Sequence, residues 1–312
     1  MRIKLVLILG LIIKIKSKIK FSDKFKLRIF GYSPIFNIHG AKNLNWNPVY
    51  RFEENYPDFQ IELHKFKSKL ENEIKSQKSV SYLKFGDGDY YFLKGQPVGS
   101  ATPGKRAISR ELTFNELSDY QSNSKKVDNY LCEIDFQNRK LFKEIFNVSD
   151  PIPAEFVYGL TANHWLTQLP FKIGLIGADK KIEIIRHLMK FQKYQNYLGL
   201  NEFTDYVKIP QKFACDDLNQ RLIELDEQLR NSDADLFLVG VGHLKSGIMS
   251  ELTKIKNAVY LDIGSGIDAL AGLIDAKRPY FGSWVNHRIR NDDLYQDVDL
   301  LQYESNSTQF LN

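Results

Sequence analysis

The chain has 312 residues, 43% of them hydrophobic and 26% charged, which excludes a disordered or fibrous polymer and allows one large α/β domain with an extension. Its formal charge of +5 says little about the body, because nine Lys/Arg stand against one acid, Asp23, within residues 1–28, and the remainder is mildly acidic. A nucleic-acid-binding body is thereby disfavoured, since phosphate neutralisation needs a basic surface on the folded part, and two distant cysteines, Cys132 and Cys215, suggest neither a disulfide framework nor a CxxC zinc site.

Residues 1–56 read as a basic, apolar N-terminal segment followed by a connecting arm. The apolar run from Leu5 to Ile13 is shorter than the ~20 residues that span a bilayer, and no small-residue cleavage site follows it. An interfacial anchor for anionic lipid is the expectation, giving a cytoplasmic protein with peripheral membrane contact through residues 1–28 on the cytoplasmic face. A buried strand or helix with a solvated Lys face is the alternative. Residues 29–56 are rich in Asn, Pro, Gly and aromatics without a period, as in Asn45-Trp46-Asn47-Pro48.

Residues 57–285 carry the organised pattern, and residues 286–312 read as a polar C-terminal tail. Phe59, Leu63, Phe66 and Leu70 recur at spacings of three and four, which predicts a helix over about 57–76. Short apolar runs at Val80 to Phe85, Phe156 to Leu160, Ile173 to Ile176, Tyr206 to Ile209, Leu236 to Val241 and Val259 to Ile263 suit strands covered on both faces. Amphipathic stretches lie between them. The clearest places Leu218, Leu222, Leu225 and Leu229 on one stripe, with Asp216 or Asp217 as the cap. The alternation predicts an α/β fold, a Rossmann-like mostly parallel sheet flanked by helices, as a single main domain.

Three strand ends carry the chemistry. At the first, Lys84-Phe85-Gly86-Asp87-Gly88-Asp89 puts two carboxylates one glycine apart, where ligands of open α/β sheets collect. Asp87 and Asp89 are hard oxygen ligands suited to Mg²⁺ or Mn²⁺, ions that share their shell with phosphates; a turn whose acids only cap backbone groups is the simpler alternative. At the second, Gly240-Val241-Gly242-His243-Leu244-Lys245-Ser246-Gly247 joins a buried strand to a helix, whose N–H groups and dipole suit a phosphate. Lys245 or His243 adds charge there, and Ser246 adds a hydroxyl or a cap. At the third, Asp262 and Asp268 flank Ile263-Gly264-Ser265-Gly266; Asp262 suits a ribose hydroxyl or a base, Asp268 less so. Arg106 and Arg110, four apart, are candidates for a diphosphate, and Asn163 with His164 for a base. HExxH, GxSxG and Walker loops are absent, which argues against those hydrolases.

In their order and spacing these pieces resemble the GT-D-type glycosyltransferases, whose Arg-Phe-Gly-Asp-Gly-Glu-like opening reads here Lys84-Phe85-Gly86-Asp87-Gly88-Asp89 and whose closing Asp-Ile-Gly reads Asp262-Ile263-Gly264. The resemblance implies a Rossmann-like glycosyltransferase that moves a hexose from a nucleotide sugar, UDP-sugars foremost, onto a glycan acceptor. It implies Mn²⁺ or Mg²⁺ dependence, with Asp87 and Asp89 on the metal and nucleotide. Asp89 replaces Glu and is one methylene shorter; Lys84 replaces Arg. Two alternatives stand beside it: a silent module that binds nucleotide or glycan at a membrane surface, and a Rossmann-type methyltransferase. The second expects a richer glycine turn after the first strand and an acid closing the second, and neither is evident in the sequence.

Overall fold

The computed structural model describes residues 59–93, 114–133, 136–162, 164–210, 217–273, 284 and 293–298. The N-terminal segment, the arm, Arg106, Arg110, Asn163 and most of the polar tail lie outside this set, as does the side chain of Asp87. In chain order the elements are α1 (Phe59–Lys75), β1 (Val80–Phe85), α2 (Asp87–Leu93), α3 (Phe114–Ser124), β2 (Asn129–Cys132), α4 (Phe136–Phe146), β3 (Ile152–Pro153) and α5 (Ala154–Ala162). There follow β4 (Ile173–Ala178), α6 (Asp179–Leu188), α7 (Gln192–Leu198), β5 (Asp205–Ile209), α8 (Leu218–Leu229), β6 (Leu236–Gly240), a 3-10 turn (Gly242–Leu244), α9 (Lys245–Ile255), β7 (Val259–Asp262) and α10 (Gly266–Leu270). Among the described residues no helix is long and apolar enough to cross a membrane.

The strands form one seven-stranded sheet in the order β3-β2-β1-β7-β6-β4-β5, every pair parallel. This is the Rossmann-like α/β architecture that alternating strand and helix patterns dictate. Parallel strands are covered on both faces, and the period of two sorts their side chains. Tyr82, Leu175, Leu238 and Leu261 face a core completed by Leu63, Phe66 and Leu70 of α1, Phe156 of α5 and Ile182, Ile185 and Leu188 of α6. Their neighbours Leu83, Ile176, Phe237, Val239 and Tyr260 face Leu225 and Leu229 of α8 and Ile248, Met249 and Leu252 of α9. The Asp217 carboxylate caps α8 by accepting the Gln220 N–H at 2.9 Å, as its place before the leucine stripe predicts.

Two expectations are corrected. Phe156 to Leu160 lies within a helix, α5, whose residues are buried on every side; an all-round apolar run of five has no period to separate helix from strand. Strands β2 and β3 escape the sequence reading because they are four and two residues long and diluted by Asp128, Asn129 and Pro153. In the tail, Asp293–Tyr295 makes a 3-10 turn whose Tyr295 hydroxyl accepts from the Trp284 indole at 2.9 Å and donates to the Ala271 carbonyl at 2.8 Å.

The order of strands sets where a ligand can enter. From β1 the chain moves outward to β2, whereas β7 is reached from β6 on the opposite side, and β1 and β7 meet through the register Val80 to Val259 and Tyr82 to Leu261. Connections leaving these two tips diverge, the arrangement beside which ligands of open α/β sheets collect.

Candidate functional site at the β1–β7 seam

Gly86 follows β1 and α2 begins at the next residue, so Asp89 is the third residue of the helix. From there its carboxylate reaches back to accept the Gly86 N–H at 3.0 Å, the reciprocal contact of a capping box. The same carboxylate accepts the Tyr120 hydroxyl of α3 and pairs with the Lys245 ammonium at 2.7 Å. Lys245 opens α9, and its ammonium continues to Asp262 at 3.3 Å and donates to the Lys84 carbonyl. Asp262 ends β7 and is itself held by the Lys84 N–H at 3.0 Å and the Gly264 N–H at 2.8 Å. One ammonium thus joins the ends of β1 and β7 to the helix that connects β6 with β7.

These groups are almost fully covered: Asp89, Lys245 and Asp262 retain 4%, 5% and 1% of their surface. Such depth leaves a charge viable only when it is paired and hydrogen-bonded, and the ionisation follows suit. Burial pushes the Asp89 carboxyl up, but Lys245, assisted by His243 and the donated hydrogen bonds, holds it below the usual carboxylate range. Burial works against the charged form of Lys245, and Asp262 and Asp89 outweigh it, raising the ammonium to about 12. Burial also drives the Tyr120 hydroxyl well up, reinforced by Asp89, and it keeps His243 below its ordinary value despite Asp89.

A second polar chain lies on the opposite face of the same edge, because Lys84 shares the orientation of Tyr82 two residues earlier. Its ammonium sits 2.9 Å from the Tyr158 hydroxyl of α5, and that hydroxyl donates to Glu133 at 2.5 Å. Glu133 directly follows β2, so an acid does close the second strand. This overturns the expectation that none does, which rested on a sequence in which β2 could not be seen. Gly86 fits between the two chains: a Cβ there would lie 2.9 Å from the Glu133 carboxylate and 3.3 Å from the Lys84 ammonium.

The remaining candidates divide. His243 stands beside the cluster, its Nε2 3.4 Å from the Gly88 carbonyl and its ring edge-on to Tyr120 at 6.2 Å. Gly88 and Gly242 border open space among the described residues, and Gly242 has the positive φ, 58°, that the turn into the 3-10 segment requires. Gly240, expected to cradle a phosphate, serves packing instead, since a Cβ there would lie 2.4 Å from Ile267 Cγ1 and 2.5 Å from the Gly264 carbonyl. Ser246 does not cap α9; its hydroxyl donates to the His243 carbonyl at 3.0 Å. Asp268 pairs with Lys181 of α6 at 2.5 Å. His164 lies on the segment leading into the amino end of β4, packed edge-on against Tyr197 at 4.3 Å, at the other end of the sheet from Asp89 and Asp262. It does not join the cluster.

The metal expected on Asp87 and Asp89 does not fit Asp89. Both of its oxygens already accept hydrogen bonds, and a divalent ion would have to displace Lys245 from 2.7 Å away. Among the described residues no group of three or more His, Cys, Asp or Glu is placed to hold a metal ion. Tyr120, Glu133 and Tyr158 were missed from sequence because none stands in a motif whose spacing marks it; only a correct β2 would have singled out Glu133. No known protein family, characterised protein or solved structure matches the chain.

Proposed function

We propose that the chain is a glycosyltransferase that moves a hexose from a nucleotide sugar, a UDP-sugar in the first instance, to a hydroxyl of a glycan or glycoconjugate. One observation supports this reading above the others: segments far apart in sequence, Gly86 to Asp89, His243 to Lys245 and Asp262 to Gly264, meet at the carboxyl ends of β1 and β7, the edge of open α/β sheets where ligands collect. In this reading the nucleoside diphosphate lies over the β1–β7 seam. Glu133 takes a ribose hydroxyl, the role an acid closing the second strand plays in dinucleotide folds. Lys84 and the N–H groups of the 3-10 turn at Gly242, which no side chain caps, face the diphosphate. The acceptor hydroxyl attacks the anomeric carbon as its bond to the diphosphate breaks, and these donors stabilise the charge that develops on the leaving group. Asp89, Lys245 and Asp262 act beneath the ligand as positioning residues.

The test is a thermal-shift panel of nucleotide sugars on the full-length protein, followed by assay of nucleotide release. A ligand at about 100 times its Kd stabilises the folded state by about 2.7 kcal/mol, a readily measured shift. No shift with any nucleotide sugar would refute the proposal. Glu133 also favours a second reading, a Rossmann-type methyltransferase, which S-adenosylhomocysteine in the same panel addresses. Binding of UDP without turnover would leave the silent module. Membrane attachment through residues 1–28 is part of the proposal, and deleting residues 1–20 should release the protein from membrane pellets; an unchanged partition would remove it.

A further inference from the structure

Three oxygens converge on the Lys245 ammonium: the Lys84 carbonyl, Asp89 Oδ2 at 2.7 Å and Asp262 Oδ2 at 3.3 Å. Carbonyl and carboxylate oxygens gathered from separate elements are the ligand set that Ca²⁺, Mg²⁺ and Mn²⁺ take in proteins. We propose that Lys245 is the resident cation of this three-oxygen site, so that the seam is held together by the chain's own ammonium and needs no divalent ion. This follows from the mismatch between an Asp89 metal site and the bonds Asp89 makes. It rests on the glycosyltransferase reading only for what passes over the seam.

The physical case is one of competition. An ammonium at the end of a helix-borne side chain is present at an effective concentration that free ions do not reach, and this one donates to the Lys84 carbonyl and Asp89 and pairs with Asp262. A divalent ion would have to expel it into a region where Lys245 has only 5% of its surface open, leaving an uncompensated charge. Shortening the side chain removes the competitor and keeps the oxygens. Lys245→Ser should therefore convert the seam into a divalent-cation site.

The experiment titrates EDTA-treated full-length protein with Mn²⁺ and counts bound ions from the loss of the free-ion EPR signal, at free Mn²⁺ of about 100 µM. Lys245→Ser should bind one ion more per chain than wild type, and Mn²⁺ should raise its unfolding midpoint while leaving that of wild type unchanged. If Lys245→Ser gains no ion, the proposal is wrong. Should that variant fail to fold, Asp262→Asn decides: an equal ion count to wild type supports the proposal, and an ion lost from wild type overturns it. A nucleotide arm separates the two ideas. Stabilisation by UDP that is equal within about twofold in affinity in EDTA and in Mn²⁺ supports a metal-free seam. UDP binding that requires Mn²⁺ and vanishes in Asp262→Asn overturns it while leaving the glycosyltransferase reading intact. Absence of UDP binding in both buffers removes the UDP-sugar form of that reading, and the ion count alone then decides the inference.

Discussion

Replacing Lys245 with Met keeps most of the side chain's volume and removes its charge, its hydrogen bonds to the Lys84 carbonyl and Asp89, and its ion pair with Asp262. Two carboxylates, Asp89 and Asp262, are then left facing one another with 4% and 1% of their surface exposed. Breaking a buried ion pair by removing one partner costs about 3–5 kcal/mol, a large share of the roughly 5–15 kcal/mol that holds a domain folded. For a domain of this size that corresponds to a fall in Tm of about 6–20 °C. The variant should also acquire a distinctive pH dependence. Two unpaired carboxylates in one site raise the folded-state pKa of one above its unfolded value, so its contribution is fully present at low pH and lost as pH rises through the raised value. Lys245→Met should therefore be less handicapped at pH 5 than at pH 8. Urea denaturation followed by tryptophan fluorescence at both pH values measures this. A loss below about 1 kcal/mol, the same at both pH values, would mean that the ammonium does not bind the seam together.

Tyr120→Phe deletes one hydroxyl donated to the Asp89 carboxylate and should cost about 1.5–3 kcal/mol in denaturant unfolding; a neutral result would show that Asp89 finds a substitute donor. Gly240→Ala places a Cβ 2.4 Å from Ile267 Cγ1 and should destabilise by about 1–3 kcal/mol, whereas Gly88→Ala meets nothing within 4 Å and should gain about 0.5–1 kcal/mol within α2. Equal stability of the two alanine variants would remove the distinction between a packing glycine and an open one. Wild-type stability should decline on acidification in two stages, since His243 and Asp89 both have depressed folded pKa values: the first below about pH 6.5, as His243 is forced to charge, the second below about pH 4. Equilibrium unfolding across pH 3–8 in His243→Gln should lack the first stage and keep the second.

Strands β1, β4, β5, β6 and β7 are legible in the sequence because each is a run of Val, Ile, Leu and aromatics long enough to need cover on both faces. The same rule misplaces α5, since a helix buried all round obeys no amphipathic period. Within the site, Asp89, Lys245 and Asp262 stand in glycine-punctuated motifs, so their positions at strand or helix ends can be read directly. What they do there cannot. The ion pair between Lys245 and Asp89 joins residues at opposite ends of the domain, and local spacing carries no trace of it. Two acids flanking a glycine suggest a metal when read alone, and the cation that answers Asp89 is supplied by another motif. His164 shows the reverse error: a histidine following an apolar run looks exposed at a strand tip, but the run is helical and delivers it to the far end of the sheet.

The pairing of Val80 with Val259 has a kinetic consequence. It unites the first and last strands of the sheet, so more than half of the chain must be looped out before these two can touch, and contacts of such long range form slowly. A nascent or partly assembled molecule can complete β1 with β2, or β4 with β5 and β6, and still lack the ammonium that joins β1 to β7. The seam is complete only with closure of that one join, so under the proposed function nucleotide binding would report complete assembly.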